Sequence, residues 1–185
     1  KEYEKIIDEI FEWLEENQNE TNGLWGECTS QGINGLINGG YHLMRGTYFT
    51  FNRPFKYSEK IIDIILQDLK TDLNFSPNKA HGCQDMDHFF LLEKCFFTSN
   101  GYREKEVKDI SRKRLEEILN ISKCKDGGFS FEANNSVKVH NYYNISPGLK
   151  EGDLLGTVFY LQTIKSITRI LDVKFDINDS KTHGI

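Results

Sequence analysis

Hydrophobic and charged residues alternate along this chain on the scale of whole helices. Three segments carry apolar residues at spacings of three and four with charged residues between them, a pattern that predicts amphipathic helices. These segments cover residues 3–16, 58–71 and 103–119. Each is followed by a segment with few charges, which predicts a helix that is buried on most sides. The predicted buried helices cover residues 31–51, 85–97 and 153–171.

The alternation predicts an all-α domain at residues 1–175, made of three helical hairpins, and a short tail at residues 176–185. The apolar helices begin near residues 32, 85 and 152, which is a loose internal repeat. We expect them to form an inner layer that the amphipathic helices cover on one side. The charged run at residues 103–117 should then be a solvated outer face. The other side of the inner layer should face further core or a cavity.

The first apolar segment contains four glycines, each of which costs about 1 kcal/mol relative to Ala inside a helix. They are Gly35, Gly39, Gly40 and Gly46. Close packing of another part of the backbone, or the close approach of a ligand, would offset this cost.

Composition excludes several classes of function. The chain has 185 residues and a net charge of -5, and its basic residues are interleaved with acidic ones, whereas a nucleic-acid groove needs clustered Lys and Arg. No segment approaches the roughly 20 apolar residues of a membrane span. The N-terminal residues do not form a signal peptide, so we expect a cytoplasmic protein whose four cysteines are free thiols.

Three short motifs resemble those of a known superfamily. The sequences Gly-Leu-Trp-Gly at residues 23–26 and Asp-Gly-Gly-Phe at residues 126–129 are Gly-rich aromatic turns that lead into apolar helices. Helix pairs joined in this way resemble the α/α toroid of terpenoid cyclases and protein prenyltransferases. Asp-Met-Asp-His at residues 85–88 is similar to Asp-x-Asp-Asp, the protonating motif of class II cyclases. Similar toroids also occur in glycoside hydrolases and polysaccharide lyases.

The resemblance implies a ring of hairpins in which the turns that enter the inner helices line one mouth. A closed ring of this kind has more hairpins than the three predicted here, so the resemblance implies a partial toroid. The missing half would be encoded on the same gene, supplied by a second copy in a homodimer, or lost in evolution.

The candidate catalytic residues lie near the starts of the inner helices, because the resemblance places those helix ends at one mouth. They are Asp85, Asp87, His88 and Asp153. Asp85 and His88 share one helical face, and a carboxyl group buried beside an imidazole suits general acid–base catalysis. Asp85 or Asp87 would be the acid, assisted by His88 and Asp153. In the structural alternative, Asp85 and Asp153 cap their helices and Asp87 complements the helix dipole.

Six further residues are candidates for binding a small hydrophobic or sugar-like ligand: Trp25, Glu27, Tyr41, His42, Phe129 and Tyr142. Their aromatic rings could stack on a sugar ring or an isoprenoid chain. In the alternative, Trp25, Phe129 and Phe131 plug the ends of the hairpins and His42 is an ordinary core residue. A Phe-rich lining would favour an isoprenoid, whereas Trp and Tyr beside Asp, Asn and Glu would favour a sugar-like ligand.

Zinc binding is a second hypothesis for residues 81–88. His81, Cys83, Asp85 and His88 are all acceptable types of zinc ligand. In the prenyltransferases that the chain resembles, an Asp, a Cys two residues later and a His from another inner helix bind zinc. Here Cys83 precedes Asp85 by two residues, and Asp87 occupies the position of that Cys. We therefore predict no cofactor, with zinc as the lesser alternative.

Two functions fit these patterns. The first is an enzyme, or a domain derived from one, that acts on a small ligand in a toroid cavity and is either terpenoid cyclase- or prenyltransferase-like or carbohydrate-active. The second is a non-catalytic binding or interaction module whose apolar face pairs with another chain or domain. The sequence contains no nucleotide-binding loop and no nucleophile elbow.

Overall fold

A computed structural model describes residues 2–28, 32–71, 81–140 and 142–173 of the chain. Its helices are α1 (Glu2–Glu16), α2 (Gly32–Met44), α3 (Ser58–Leu69), α4 (Gly82–Thr98), α5 (Glu104–Glu117) and α6 (Leu154–Ile170). The strands β1 (Val139–His140) and β2 (Tyr143–Asn144) form a small antiparallel ribbon. The predicted all-α class and the order of the six helices are confirmed, while the predicted tail at 176–185 lies outside the described residues.

Two helices end in π-helical turns, α2 at Arg45–Phe49 and α5 at Ile118–Ser122. The predicted ends of the second and fifth helices, at residues 51 and 119, lie near these turns. None of the helices in the described ranges is both long enough and apolar enough to cross a bilayer.

Helix α4 lies at the centre of the described structure. It packs against α2, α3, α5 and, over the largest contact, α6. Its residues Phe89, Leu91, Leu92 and Cys95 are completely buried. Helices α2 and α6 do not pack extensively against each other in the described part of the chain, so α2, α4 and α6 follow one another with α4 in the middle.

Only part of the apolar stripe of α1 is buried. Phe11 and Leu14 belong to the core, and the Phe11 ring packs edge-on against Tyr48 with 5.1 Å between the centroids. Tyr3, Ile6, Ile10 and Trp13 are exposed along the same helix. Half of the apolar surface that the sequence pattern assigns to α1 therefore faces away from the core.

Three of the four glycines in the first apolar segment fall into two groups, according to what surrounds them. Gly40 is buried against Leu24, and a Cβ atom at this position would lie 2.6 Å from the Leu24 Cδ2 atom. This contact explains the glycine by close packing, because no larger residue fits without a shift. Gly39 and Gly46 are exposed, and a Cβ atom at either position would meet no other atom within 4 Å. Packing does not account for these two glycines.

The segment between α5 and α6 joins the N-terminal ends of α4 and α6. The Phe131 carbonyl accepts a hydrogen bond from the Gly82 amide at 2.9 Å, at the first residue of α4. On the other side, a Cβ atom at Gly156 would lie only 2.4 Å from the Phe131 backbone nitrogen, so α6 can approach this segment only with glycine there. This segment thus holds the starts of α4 and α6 close together.

Three local expectations are wrong. Helix α4 begins at Gly82 with His81 in the N-cap position, so Asp85 lies inside the helix and does not cap it. The charged run at 103–117 is not wholly solvated, because Arg114 within it is 1% exposed. The apolar helix α6 is not buried on most sides, since Leu154 and Leu161 are more than half exposed.

Candidate functional site

The N-terminal half of α4 carries three ionisable side chains in four residues, and all three are buried. Asp85, Asp87 and His88 are each 2% exposed or less. Successive residues of a helix point in different directions, so each side chain meets a different neighbouring helix. Their partners therefore decide which of them is available for chemistry.

Asp85 forms a two-pronged ion pair with a residue of α5. Arg114 donates from Nε to Oδ1 at 2.9 Å and from Nη2 to Oδ2 at 2.6 Å, and its Nη1 donates to Glu117 at 2.9 Å. Burial lowers the pKa of Arg114, but the attraction and hydrogen bonds of Asp85, together with smaller effects that include the Glu117 hydrogen bond, outweigh burial, and the pKa is raised. Both oxygens of Asp85 are occupied by a permanent cation. The predicted partnership between Asp85 and His88 is not formed, and this geometry does not suit Asp85 as the acid.

His88 is held on both ring nitrogens. Its Nε2 lies 2.7 Å from Oδ2 of Asp68 on α3, and its Nδ1 lies 2.6 Å from the Gln84 carbonyl oxygen. Both contacting atoms are oxygen acceptors, so each ring nitrogen of His88 is committed to a partner. His88 therefore joins α3 to α4. Because neither ring nitrogen is open to a ligand in this arrangement, His88 is not placed to assist catalysis.

Asp87 differs from its two neighbours because only half of its carboxyl group is satisfied. Asn38 of α2 donates to its Oδ2 at 2.6 Å, while its Oδ1 is buried and has no hydrogen-bond partner. Burial raises the pKa of Asp87 to about 6, against the smaller opposing effects of the Asn38 hydrogen bond and of His88 and His42. This carboxyl group can therefore gain or lose a proton near neutral pH, as an acid–base residue must.

The surroundings of Asp87 are polar side chains of α2 and α4. Cys83 lies one turn earlier on α4, and burial together with Asp87 raises the pKa of its thiol to about 11. His42 is exposed and its ring lies edge-on to Tyr41 at 5.0 Å between centroids. The Asn34 Oδ1 atom is a second buried oxygen without a partner on this stretch of α2. We call Asn34, Asn38, His42, Cys83 and Asp87 the α2–α4 seam.

Tyr41 is buried at the same seam, and its hydroxyl group lies 3.9 Å from the Met86 sulfur. Burial raises its pKa, so the phenol remains protonated at neutral pH. Two predicted ligand-binding residues, Tyr41 and His42, are thus close to the predicted acid Asp87. The seam also borders Gly39, whose missing side chain leaves open space along α2.

Asp153 is an N-cap, as the structural alternative predicts. Its Oδ1 accepts a hydrogen bond from the Gly156 amide at 2.7 Å, and its Oδ2 accepts from the amides of Phe131 at 2.8 Å and Val137 at 3.2 Å. Both oxygens are therefore used to fix the start of α6 to the preceding segment. Asp153 does not join Asp87 in one site.

A separate cleft of about 460 Å³ lies where the β-ribbon meets the start of α6. It is lined by His140, Tyr143, Ile145, Asp153, Leu154 and Leu155. The His140 ring also contacts the Phe131 ring. The Phe131 ring in turn contacts the His81 ring, with 4.3 Å between the two centroids. Its largely apolar lining distinguishes this cleft from the polar α2–α4 seam.

The remaining predicted ligand-binding residues are dispersed. Trp25 donates from Nε1 to the Leu14 carbonyl at 2.8 Å and packs on Tyr48, which fits its alternative role as a plug. Phe129 is buried in the core, also as a plug. Glu27 is exposed in the turn before α2, and Tyr142 is fully exposed at the tip of the ribbon.

The four candidate zinc ligands are not arranged as a metal site. Burial lowers the pKa of His81, whose ring packs against Phe131, while Asp85 and His88 are committed to Arg114 and Asp68. Within the described ranges, no three His, Cys, Asp or Glu side chains form a group suited to a metal ion. The donor set of residues 81–88 therefore does not fit zinc.

Sequence reasoning missed Arg114, Asp68 and Asn38, the partners of the three α4 residues. Arg114 was assigned to the solvated face, although it continues the buried positions Val107 and Ser111 at spacings of four and three. Asp68 likewise follows Ile61 and Ile65 on the buried stripe of α3. The signal was a charge in register with an apolar stripe, which indicates a buried, paired charge.

No family model, no curated protein sequence and no solved structure matches this chain.

Proposed function

We propose that this protein binds a small, hydroxyl-bearing ligand of the sugar type at the α2–α4 seam and exchanges a proton with it through Asp87. The observation that carries the proposal is the buried Oδ1 atom of Asp87, which has no partner in the described structure. An unpaired buried oxygen costs about 1–3 kcal/mol, and on a carboxyl group with a raised pKa it fits a group whose bonding a ligand completes.

The residue types around Asp87 support this class of ligand. Asn34, Asn38 and His42 offer amide and imidazole groups that exchange hydrogen bonds with hydroxyl groups. Tyr41 supplies an aromatic ring, and the exposed Gly39 leaves room for a ligand to approach the helix backbone. The α2–α4 seam is richer in Asn and His than in Phe, which favours a sugar-like ligand over an isoprenoid.

The chemistry follows from the proton affinity of Asp87. With a pKa of about 6, the carboxyl group is ionised in most molecules at pH 7 but is protonated in a useful minority. It can accept a proton from a bound hydroxyl group or return one to a leaving oxygen. A terpenoid cyclase- or prenyltransferase-like activity remains the second candidate, because Asp87 is the third residue of the Asp-x-Asp-Asp-like motif.

Replacing Asp87 with Asn is expected to stabilise the fold at neutral pH. The pKa of Asp87 is higher in the folded protein than its ordinary value of 3.8, so ionisation favours the unfolded chain. This cost is absent below about pH 4, grows between pH 4 and pH 6, and reaches about 3 kcal/mol above pH 6. Urea unfolding of both proteins from pH 4 to pH 8 should show a gain that appears only as the pH rises.

Asp68→Asn is the matched control, because Asp68 is equally buried but has His88 as a partner. It should lose stability where Asp87→Asn gains it. Equal stability of Asp87→Asn and the parent protein at pH 8 would contradict the assignment of a strained, unpaired carboxyl group.

Ligand binding is tested separately by thermal unfolding at pH 7. The probes are D-glucose, D-galactose, D-mannose, cellobiose and maltose, with farnesol as the isoprenoid probe. We expect at least one sugar to raise the Tm of the parent protein. In Asp87→Asn and Asn38→Ala, the same increase in Tm should require at least a tenfold higher concentration of that sugar. A Tm increase with farnesol alone would favour the second candidate, and no increase with any sugar would contradict the first.

A further inference from the structure

The first and last helices of the chain, α1 and α6, each expose an apolar surface. The exposed residues Tyr3, Ile6, Ile10 and Trp13 of α1 are between 47% and 80% accessible. Their spacings of three and four place them along one side of the helix, beside the buried Phe11 and Leu14. We call these four residues the first edge.

Helix α6 and the β-ribbon carry a second exposed apolar surface. Leu154, Val158 and Leu161 are exposed at spacings of four and three, which makes a second apolar stripe along one helix face. Tyr143 and Ile145 are exposed beside its start and close the 460 Å³ cleft described above. We call these five residues the last edge. Exposed apolar surfaces of this kind mark interaction sites more often than scattered single residues do.

The two edges differ in shape. The first edge projects large side chains from a helix, including the aromatic rings of Tyr3 and Trp13. The last edge contains a concave cleft lined by Tyr143, Ile145 and Leu154, and an aromatic side chain seated in such a pocket is the usual anchor of a protein interface. A projecting patch on the first edge and a pocket on the last edge predict contact between unlike surfaces.

The charges of the two edges are also opposite. Helix α1 contains seven acidic residues and one Lys, and two of the acids, Asp8 and Glu15, pair with Arg53 and Lys56. Helix α6 contains no acidic residue and exposes Lys165, while its Arg169 pairs with Glu93 of α4. Two α1 helices would repel each other, and so would two α6 helices. Contact between an α1 and an α6 brings opposite charges together around the apolar residues, which favours that pairing and its orientation.

We propose that the first edge of one copy of this chain docks on the last edge of a second copy. The second copy presents the same two surfaces, so its own first edge returns to the last edge of the first copy. Two equal contacts then close the assembly and leave neither apolar edge exposed. The assembly does not use the α2–α4 seam, so it stands or falls independently of ligand binding.

The mass of the protein in solution is the first test. Analytical ultracentrifugation of the 185-residue chain should show a species of twice its 21.5 kDa mass. A monomer at all concentrations up to 100 μM would overturn the proposal. Species that keep growing with concentration would overturn closure by two copies.

Single substitutions at each edge then test which surfaces meet. Ile10→Asp disables the first edge, and Val158→Asp disables the last edge, each by burying a charge at the contact. Each variant alone loses both contacts of the assembly and should dimerise at least tenfold more weakly than the parent protein. Phe97→Asp is the control, because Phe97 is 56% exposed on the central helix α4 and belongs to neither edge. It should leave dimerisation unchanged.

Mixing the two edge variants gives the decisive result. One of the two contacts in the mixed dimer joins an intact first edge to an intact last edge, so an equimolar mixture should dimerise more strongly than either variant alone. An interface between two like edges gives a different pattern, in which one variant dimerises normally and mixing restores nothing. Circular dichroism should show unchanged helix content in both variants. The proposal is overturned if one variant dimerises normally, or if the mixture dimerises as weakly as its components.

Discussion

Replacing Arg114 with Met is expected to destabilise the fold by about 3–5 kcal/mol. Arg114 is 1% exposed, and its guanidinium group occupies both oxygens of Asp85 and one oxygen of Glu117. Removing it leaves the Asp85 carboxylate buried without a counter-ion, and the cost of that isolated charge exceeds the loss of packing. Urea unfolding followed by circular dichroism at pH 7 measures the change in the free energy of unfolding.

A double substitution separates the cost of an isolated charge from the value of the ion pair. Adding Asp85→Leu to Arg114→Met removes the unpaired carboxylate and should recover much of the lost stability. Arg112→Met is the control, because Arg112 pairs with Asp109 on the exposed side of α5 and should have little effect. If Arg114→Met were as mild as Arg112→Met, the buried ion pair would not hold α5 to α4.

Replacing Asp153 with Ala is expected to destabilise the fold by about 4 kcal/mol. The carboxylate caps α6 through the Gly156 amide, and loss of an N-cap costs about 1 kcal/mol. It also accepts hydrogen bonds from the amides of Phe131 and Val137, and each amide left unsatisfied costs about 1–3 kcal/mol. Thermal and urea unfolding measure the total.

Hydrogen exchange locates the effect of Asp153→Ala. The amides of Phe131 and Val137 should exchange much faster in the variant, because these two lose their acceptor. Asp126→Ala is the matched control, since Asp126 also accepts two backbone hydrogen bonds, from Gly128 and Gly152, but is exposed. Water can replace an exposed acceptor, so its loss should be clearly smaller. Unchanged exchange at Phe131 in Asp153→Ala would contradict the role of this carboxylate as an anchor.

These predictions divide the carboxylates of the predicted catalytic set by what they contact. Asp85 and Asp153 have both oxygens occupied, so their substitution should cost stability. Asp87 has an unpaired oxygen and a raised pKa, so its substitution should increase stability. Functional groups that are unfavourable for folding commonly behave in this way. Opposite signs for Asp87→Asn and Asp153→Ala would therefore support the placement of the chemistry at Asp87.

A third buried network extends the role of α4 as the centre of the structure. Glu93 of α4 accepts hydrogen bonds from Ser166 at 2.7 Å and from Arg169 at 3.0 Å, both on α6. With Asp85 paired to α5, His88 paired to α3 and Asp87 hydrogen-bonded to Asn38 of α2, polar contacts join α4 to four helices in addition to apolar packing. Buried polar pairs fix one arrangement of neighbours, because any other arrangement leaves a charge unpaired.

The sequence by itself determined the helices and their order. The amphipathic spacing of residues 58–71 and 103–119 is a local property, and so is the scarcity of charges in residues 85–97, which is why these helices could be predicted. The N-cap role of Asp153 was also readable, because a cap depends only on the residues that follow it. The candidate acid was narrowed to two residues, Asp85 and Asp87.

Only the tertiary structure decided between those two residues. Asp85 and Asp87 are identical in type and only two residues apart in the sequence, but one points towards Arg114 of α5 and the other towards Asn38 of α2. A helix turns by about 100° per residue, so two positions along it face different neighbours, and the identity of those neighbours is a long-range property. For the same reason, the sequence did not predict the burial of Arg114 or the exposure of the apolar stripes of α1 and α6. Periodicity shows that a face is apolar, but what covers that face depends on how distant helices pack.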